Sequence, residues 1–227
     1  MCSRICLSTD LGEISSRFGL GESKARLRPH WNIGPGNLLP VMRLDPLLLW
    51  RNLDLMRWGL IPALAKNPVI VRAHLSAWEI DGSLTESIMR PGRRCLIPVD
   101  NFYEWRLTDG QPFAVALAGR QVMTLGGIFD VWTSPQGERI TCFALLTTGV
   151  NDLMAPLCRQ MPVIVQEADW NLWLGTETSR DRSLRDLLQP FPEDRLTVWA
   201  VSRRVRNARN DDPKVLDAVP VPEAYQP

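Results

Sequence analysis

The sequence predicts an α+β protein, a single domain built on a mainly antiparallel, barrel-like β-sheet core with a few peripheral helices. Three observations predict it. Apolar runs rich in Val, Ile, Phe and Trp dominate the middle of the chain, turn sequences separate them, and helical patterns are few and short. The chain has 227 residues and shows no repeat and no Gly/Ser/Pro linker, so we expect one domain spanning 1–227.

The predicted strands lie between residues 95 and 165. Their sequences are CLIPVDNFYEW, PFAVALAG, QVMTLGGIFDVWT, ERITCFALLTT and MPVIV. The intervening pieces TDGQ, AGRQ and SPQGE are typical of hairpin turns, so successive strands are expected to pair antiparallel.

Helices are predicted around this sheet. The segment STDLGEISSRFGL has Ser8 and Thr9 as candidate N-caps, with Leu11, Ile14 and Phe18 at helical spacing. Further helices are expected in SLTESIMR (83–90), EADWNLWL (167–174) and SRDRSLRDLLQ (179–189), with a helical turn in NDLMAPL (151–157). The proline-rich stretch at about 213–227 predicts an extended tail.

Composition excludes several classes of protein. Net charge is +1, although RPGRRC and SRRVRNAR are local basic clusters that can bind phosphate. The five cysteines form no CxxC pair, which favours reduced thiols, and no apolar run approaches the roughly 20 residues of a membrane span. With two histidines and no zinc-type spacing, we expect no metal and no cofactor.

Cys2 directly follows the initiator methionine, which aminopeptidases remove when the next residue is small. After that removal, Cys2 would carry an α-amine and a thiol on adjacent carbons, a nucleophile that no internal cysteine can imitate. The alternative is that Cys2 is one small residue among many.

Glu104 is a carboxylate within the aromatic run FYEW. In a strand, Phe102 and Glu104 share one face, while Tyr103 and Trp105 share the other. A buried carboxylate has a raised pKa and often transfers protons. The alternative is a structural ion pair with Arg93 or Arg94.

Trp58 begins WGLIPALAKNP, which has the composition of a loop. Its ring could stack on a nucleic-acid base, or it could belong to the core. Arg4, Arg57 and Arg159 are candidate phosphate contacts, each with the alternative of a solvated surface residue.

Several motifs, in order along the chain, resemble those of the SOS response-associated peptidase family. They are MCSR, WNIGPG, WGLIPALAKNP, RRCLIPVDNFYEW, LLTTGVNDLMAPLCRQMPVIV and VSRRVRNARNDDP. The resemblance covers Cys2 to about Val219, and RRCLIP followed by FYEW is its most specific part.

The resemblance implies binding to single-stranded DNA at abasic sites. In this family the N-terminal cysteine condenses with the ring-opened sugar aldehyde, first as a Schiff base and then as a thiazolidine, and the crosslink shields the lesion. The family also removes its own initiator methionine, hence the peptidase label. For this chain the resemblance implies Cys2 as the nucleophile and Glu104 as the proton carrier. It also implies DNA contacts from Arg4, Pro35, Arg57 and Trp58. Arg159, next to the position of the family's arginine in HDRMPV, is a further candidate because it could partly replace that arginine.

Two active-site positions depart from the family pattern, and Ser3 stands where glycine is usual. The family's active-site asparagine falls on Ser76, or on Ile70 if the alignment is shifted to match Arg72 and Ala73, and its histidine in HDRMPV falls on Cys158. The following arginine of that motif falls on Gln160. Cys158 is either a second reactive thiol or a small buried filler, and His74 is a candidate substitute for the imidazole.

Three hypotheses therefore stand. The first is an abasic-site crosslinking protein that works slowly, the second a non-reactive single-stranded DNA-binding module, and the third a thiol-dependent autoproteolytic peptidase. The expected partner is single-stranded or gapped DNA with an abasic site. We expect a monomer, located in the cytoplasm with the nucleoid.

Overall fold

The computed structural model describes residues 3–20, 27–45, 50–77, 92–176 and 183–220. These ranges contain twelve strands and two short α-helices, α1 (Leu11–Arg17) and α2 (Trp170–Leu174). The strands are β1 (Arg4–Leu7), β2 (His30–Ile33), β3 (Leu38–Leu44), β4 (Arg51–Trp58), β5 (His74–Ser76), β6 (Arg94–Val99), β7 (Asn101–Trp105), β8 (Pro112–Leu117), β9 (Met123–Thr133), β10 (Arg139–Thr148), β11 (Met161–Pro162) and β12 (Leu196–Ala200).

Five strands close into a barrel. The order is β3–β4–β10–β9–β6, and β6 returns to β3. All of these pairs are antiparallel except β4 with β10, which is parallel. Gly127 on β9 sits where a Cβ would lie 2.7 Å from the Ala144 carbonyl oxygen and from Ile97 Cδ1. Only glycine fits there without a shift of the neighbouring strands.

A second, five-stranded sheet packs beside the barrel. Its order is β12–β8–β7–β1–β2, and every pair is antiparallel. One face, which includes Phe102, joins the main buried cluster, whereas Tyr103 belongs to a smaller cluster on the opposite face. The predicted antiparallel, barrel-like core is confirmed.

Asp100 lies at the corner where the chain leaves the barrel for the second sheet. The predicted strand CLIPVDNFYEW is therefore two strands, β6 and β7, in different sheets. The Asp100 carboxylate accepts hydrogen bonds from both the backbone N–H and the hydroxyl of Ser8 (2.6 and 2.7 Å) and of Thr9 (3.1 and 2.6 Å). These bonds attach the segment after β1 to the start of β7.

Two turn predictions have different outcomes. SPQGE joins β9 to β10 in a hairpin, as predicted. AGRQ is not a hairpin turn, because β8 pairs with β7 and β12 whereas β9 pairs with β6 and β10. The chain crosses between sheets at this point, and Arg120 has a positive φ of 51° there.

The helix predictions were partly right. Helix α1 forms, but its N-cap is Asp10, whose Oδ1 accepts from the Gly12 N–H, rather than Ser8 or Thr9. Those two side chains are instead bound to Asp100. EADWNLWL forms a 3-10 turn and α2.

Other segments are less regular than predicted. Within 183–189 only a 3-10 turn forms, at Asp186–Leu188. The helical turn predicted in 151–157 is confirmed, since the Ala155 N–H donates to the Asn151 carbonyl at 3.0 Å. The predicted helix at 83–90 lies outside the described residues, as do 177–182.

The start of the predicted tail is not extended. Pro213–Leu216 forms a 3-10 turn that buries Val215, and Ala218 pairs with Val201 in an isolated bridge. The prediction rests on the number of prolines and overlooks the apolar side chains of Val215 and Leu216, which pack against the second sheet's smaller cluster. Residues 221–227 lie outside the described residues. In the described part of the chain, neither α-helix has the length or apolar character needed to cross a membrane.

We predict that Asp100→Ala lowers the free energy of unfolding by about 2–4 kcal/mol, because four donors lose a charged acceptor. Chemical denaturation measures this change. The matched control is Asp130→Ala, which removes a surface ion pair with Arg93 and should cost less than about 1 kcal/mol. Equal effects of the two substitutions would contradict the role assigned to Asp100.

Candidate active site

Glu104 lies on the inner face of β7, with its side chain 1% exposed. The strand alternation predicted from FYEW is confirmed, since Phe102 enters the main core and Tyr103 the opposite cluster. Burial raises the pKa of Glu104 from 4.5 to about 7. A carboxyl with this pKa exists in both protonation states at neutral pH, so it can both give and accept a proton.

The alternative of a structural ion pair receives no support from Arg93. Its guanidinium lies 3.0 Å from the Asp130 carboxylate, on the barrel side of the molecule. Arg94 donates through Nε to the Trp173 carbonyl. Burial, rather than a neighbouring arginine, is the leading influence on the pKa of Glu104.

The start of the chain runs alongside Glu104. Strand β1 pairs antiparallel with β7, with Arg4 opposite Tyr103 and Ile5 opposite Phe102. The same register, continued by one residue, leads to Ser3 opposite Glu104. Cys2 lies outside the described residues, but consecutive Cα atoms are 3.8 Å apart, so its covalent link to Ser3 bounds its distance from this strand.

Cys158 lies close enough to Glu104 for the carboxylate charge to act on its thiol. Burial first, and then the charge of Glu104, raise the pKa of Cys158 to about 12. Its side chain is 2% exposed, and its Sγ lies 3.8 Å from the Met154 carbonyl oxygen. A neutral, buried thiol is a poor nucleophile, so these observations favour the interpretation of Cys158 as a buried filler.

Ser76 and Gln160, two positions that depart from the family motif, are in direct contact. Gln160 Nε2 donates to Ser76 Oγ at 2.9 Å, and Gln160 Oε1 accepts from Thr147 Oγ1 at 3.1 Å. Pairing of β10 with both β5 and β11 brings these residues together. The sequence flagged Ser76 and Gln160 separately, but nothing in it indicated this contact or the part of Thr147.

Arg4 and Pro35 meet at one exposed loop. The Arg4 guanidinium packs over Gly34, where an added Cβ would lie only 2.6 Å from Nη1. Pro35 is exposed beside it, and Asn37 Nδ2 donates to the Gly34 carbonyl at 2.9 Å. The loop therefore presents a cation and an apolar ring side by side.

Trp58 does not offer a stacking face in this structure. Its side chain is fully buried, its Nε1 donates to the Ala73 carbonyl at 3.0 Å, and its ring lies parallel to Phe143 with centroids 6.4 Å apart. The ring edge of His74 packs against it at 5.6 Å. The stacking interpretation is therefore wrong, because Trp58 ends strand β4 and points into the core rather than opening a loop.

The backbone of Trp58 nevertheless supports the Arg4–Pro35 loop. Its carbonyl accepts from Gly36 N–H at 2.7 Å, and its N–H donates to the Asn37 carbonyl at 2.9 Å. The preceding Arg57 is half-buried, and its Nε has no hydrogen-bond partner among the described residues. Arg159 is exposed, one residue after Cys158.

The arrangement brings a buried carboxyl together with polar and cationic side chains. Glu104 and Cys158 are buried, Gln160 follows Cys158 and bonds to Ser76 on β5, and half-buried Arg4 packs over Gly34 beside exposed Pro35. Within the described ranges, no three His, Cys, Asp or Glu side chains are grouped so that they could hold a metal ion.

Comparison with known proteins identifies the family. The chain belongs to the SOS response associated peptidase (SRAP) family, whose sequence model matches residues 1–208. The abasic site processing protein YoqW of Bacillus phage SPbeta is 28% identical over 226 residues, covering 96% of this chain and all of that protein. The abasic site processing protein HMCES of Gallus gallus is 27% identical over 227 residues, covering 85% of this chain and 67% of that protein.

Solved structures share the fold. A crystal structure of a protein from Bacteroides thetaiotaomicron superimposes with a TM-score of 0.81 at 21% identity, covering 96% of this chain and all of that one. A protein from Bordetella bronchiseptica gives a TM-score of 0.70 at 23% identity, covering 88% of this chain and all of that one.

We predict that Glu104→Gln removes a pH dependence of stability. The folded-state pKa of Glu104 is raised, so the wild-type protein loses stability as pH rises from 4.5 to about 7, where a buried charge must form. The unfolding free energy of wild type relative to Glu104→Gln should fall by about 3 kcal/mol between pH 4 and pH 8. Chemical denaturation at both values tests this.

The control for this experiment is Glu138→Gln, an exposed carboxylate in the β9–β10 hairpin. This carboxylate is not buried, so its removal does not involve the burial that the Glu104 test measures. If the unfolding free energy of wild type relative to Glu104→Gln does not change with pH, burial does not destabilise the charged form of Glu104.

Proposed function

We propose that this protein binds single-stranded DNA at abasic sites and forms a covalent crosslink through Cys2 after removal of Met1. The observation that carries the proposal is the β1–β7 register, which directs the start of the chain toward a buried carboxyl with a pKa of about 7. The names of the relatives, which are abasic site processing proteins, support the same substrate.

The chemistry follows from an amine and a thiol on adjacent carbons. The Cys2 α-amine adds to the aldehyde carbon of the ring-opened sugar, giving a carbinolamine. Protonation and loss of the hydroxyl as water give an iminium ion, and the thiol sulfur then adds to the same carbon as its proton is transferred to the carboxylate that gave the first proton. One aldehyde and one aminothiol therefore yield one thiazolidine and one water, with no oxidant or reductant.

Glu104 donates and accepts the protons that these steps require. In its protonated form it donates to the carbinolamine hydroxyl, which leaves as water. The resulting carboxylate then accepts the thiol proton as sulfur closes the ring. A pKa of about 7 suits both transfers, because neither protonation state is rare at neutral pH.

Half-buried Arg4 and the exposed side chains around this centre would hold the strand. Arg4 and Arg159 are suited to phosphate oxygens, which guanidinium groups bind in a forked geometry. Pro35 would lie against an unstacked base beside the lesion. Arg57 remains a further candidate for a phosphate contact, whereas buried Trp58 acts through the loop that its backbone holds.

The substitutions at 76 and 158 are expected to slow the reaction without abolishing it. A proton-transfer residue typically contributes about 10²–10⁴-fold in rate. The condensation of an aminothiol with an aldehyde is itself favourable, and Cys2 and Glu104, the nucleophile and the proton carrier, are both present in the sequence.

We predict that the protein forms a crosslink with a single strand carrying one abasic site, visible as a shifted band on a denaturing gel. Cys2→Ala should abolish this band, and Cys158→Ala should retain it, since the Cys158 thiol is buried. Glu104→Gln should slow band formation by about 10²–10⁴-fold.

Cys2→Ser provides the sharpest control because it keeps the α-amine and loses the thiol. Its complex should be trapped only when borohydride reduces the imine, whereas the wild-type complex needs no reductant. Mass spectrometry of the intact protein should show that Met1 is absent from both. A retained Met1, or binding with no covalent band from wild type, would reject the crosslinking function and leave a non-reactive binding module.

A further inference from the structure

A basic groove outside the candidate active site runs along the edge strand β2. Its volume is about 400 Å³, within the range of ligand pockets. We name it the β2-edge groove. It is lined by Arg28, His30, Asn32, Ile33, Asn37, Leu38, Ala208, Arg209 and Asp211.

The carboxylate in the groove is already engaged. Asp211 Oδ2 lies 2.6 Å from His30 Nδ1, and Oδ1 accepts from the backbone N–H groups of Trp31 and Asn32 at 2.6 and 3.1 Å. Although burial opposes ionisation, these hydrogen bonds hold the pKa of Asp211 below its usual range. The carboxylate is thus ionised and used for folding.

Two arginines make the groove attractive to an anion. Arg28 is 79% exposed, with its nearest atom 3.9 Å from Asp211, and Arg209 is an exposed residue of the same lining. With a single carboxylate against them, the guanidinium groups give a net positive charge. The nearby Arg204 is paired with Asp212 at 2.8 Å and adds no such excess.

The floor of the groove is fixed by hydrogen bonds of the buried Asn32 side chain. Asn32 is 4% exposed, and its Nδ2 lies 3.0 Å from each of three carbonyl oxygens, those of Val205, Asn207 and Asn210. Its Oδ1 is buried and has no hydrogen-bond partner among the described residues. The amide thus fixes the segment that carries Arg209 and Asp211 against β2.

The groove adjoins the loop that carries Pro35. Asn37 and Leu38 line the groove, and Asn37 is bound to Gly34, on which Arg4 packs. Strand β2 leads from Ile33 to His30, about 10 Å at the usual rise per residue. A strand held at Arg4 and Pro35 could therefore continue into the groove within a short distance.

We propose that the β2-edge groove binds the phosphodiester backbone of the DNA strand on one side of the abasic nucleotide, through Arg28 and Arg209. This inference rests on the proposed function for its substrate. Among the described residues, the lining includes no Phe, Tyr or Trp on which a base could stack. The groove would therefore hold the strand without reading its sequence.

The test is the salt dependence of binding to undamaged and abasic single strands, measured by fluorescence anisotropy. For single strands, each lost phosphate contact lowers the slope of log K against log salt by about 0.7. Arg28→Gln and Arg209→Gln should each lower it by about 0.7, and the double variant by about 1.4. Arg139→Gln, an exposed arginine of the β9–β10 hairpin, should leave it unchanged.

Strand geometry gives the second readout. The double variant should bind strands extended on one side of the lesion more weakly than wild type does, and match wild type on strands extended only on the other side. Inorganic phosphate at the same ionic strength as the salt control should compete no better than chloride, since a strand and not a free ion is the ligand.

The outcomes separate this inference from the proposed function. Normal slopes in the variants, or equal losses on both sides of the lesion, overturn the groove assignment even if crosslinking is efficient. Reduced slopes with no crosslink from wild type support the groove and reject the covalent step. Competition by free phosphate alone, without an effect of strand length, also overturns the assignment.

Discussion

The corner at Asp100 is the constraint on which the candidate site depends. One carboxylate binds four donors from Ser8 and Thr9 while the chain turns from the barrel into the second sheet. It thereby fixes β1 against β7 at the point where their register begins. Because side chains alternate along β7, this register also decides that Glu104 points inward and that Ser3 follows in the position opposite it.

Placing a carboxyl in this position opposes folding at neutral pH and shifts its titration toward neutrality. Burial destabilises the charged form, so the protein is less stable at neutral pH than it would be with a neutral side chain there. The same burial brings the pKa of Glu104 to about 7, so that both protonation states are populated at neutral pH. Burial also raises the pKa of Cys158, to about 12, so this thiol stays neutral and is a poor nucleophile.

Sequence reasoning worked where the pattern is local. The alternation in FYEW predicts the face of Glu104, and the turn SPQGE predicts its hairpin, because both depend on neighbours in the chain. It failed where distant packing decides. Trp58 looked like a loop residue because Gly59 and Pro62 follow it, yet the barrel buries its ring. AGRQ has turn composition, but composition does not show that the strands on either side belong to different sheets.

The departures at Ser76 and Gln160 illustrate the same limit and change how the site should be regarded. They are 84 residues apart in sequence, so the sequence gives no sign that their side chains interact. In the fold their side chains are hydrogen-bonded, and Thr147 completes the chain of contacts. Residues in one hydrogen-bond network do not contribute independently, so altering one partner leaves the other with an unsatisfied group. The two positions therefore form one unit, and a substitution at either one changes the hydrogen bonds of the other.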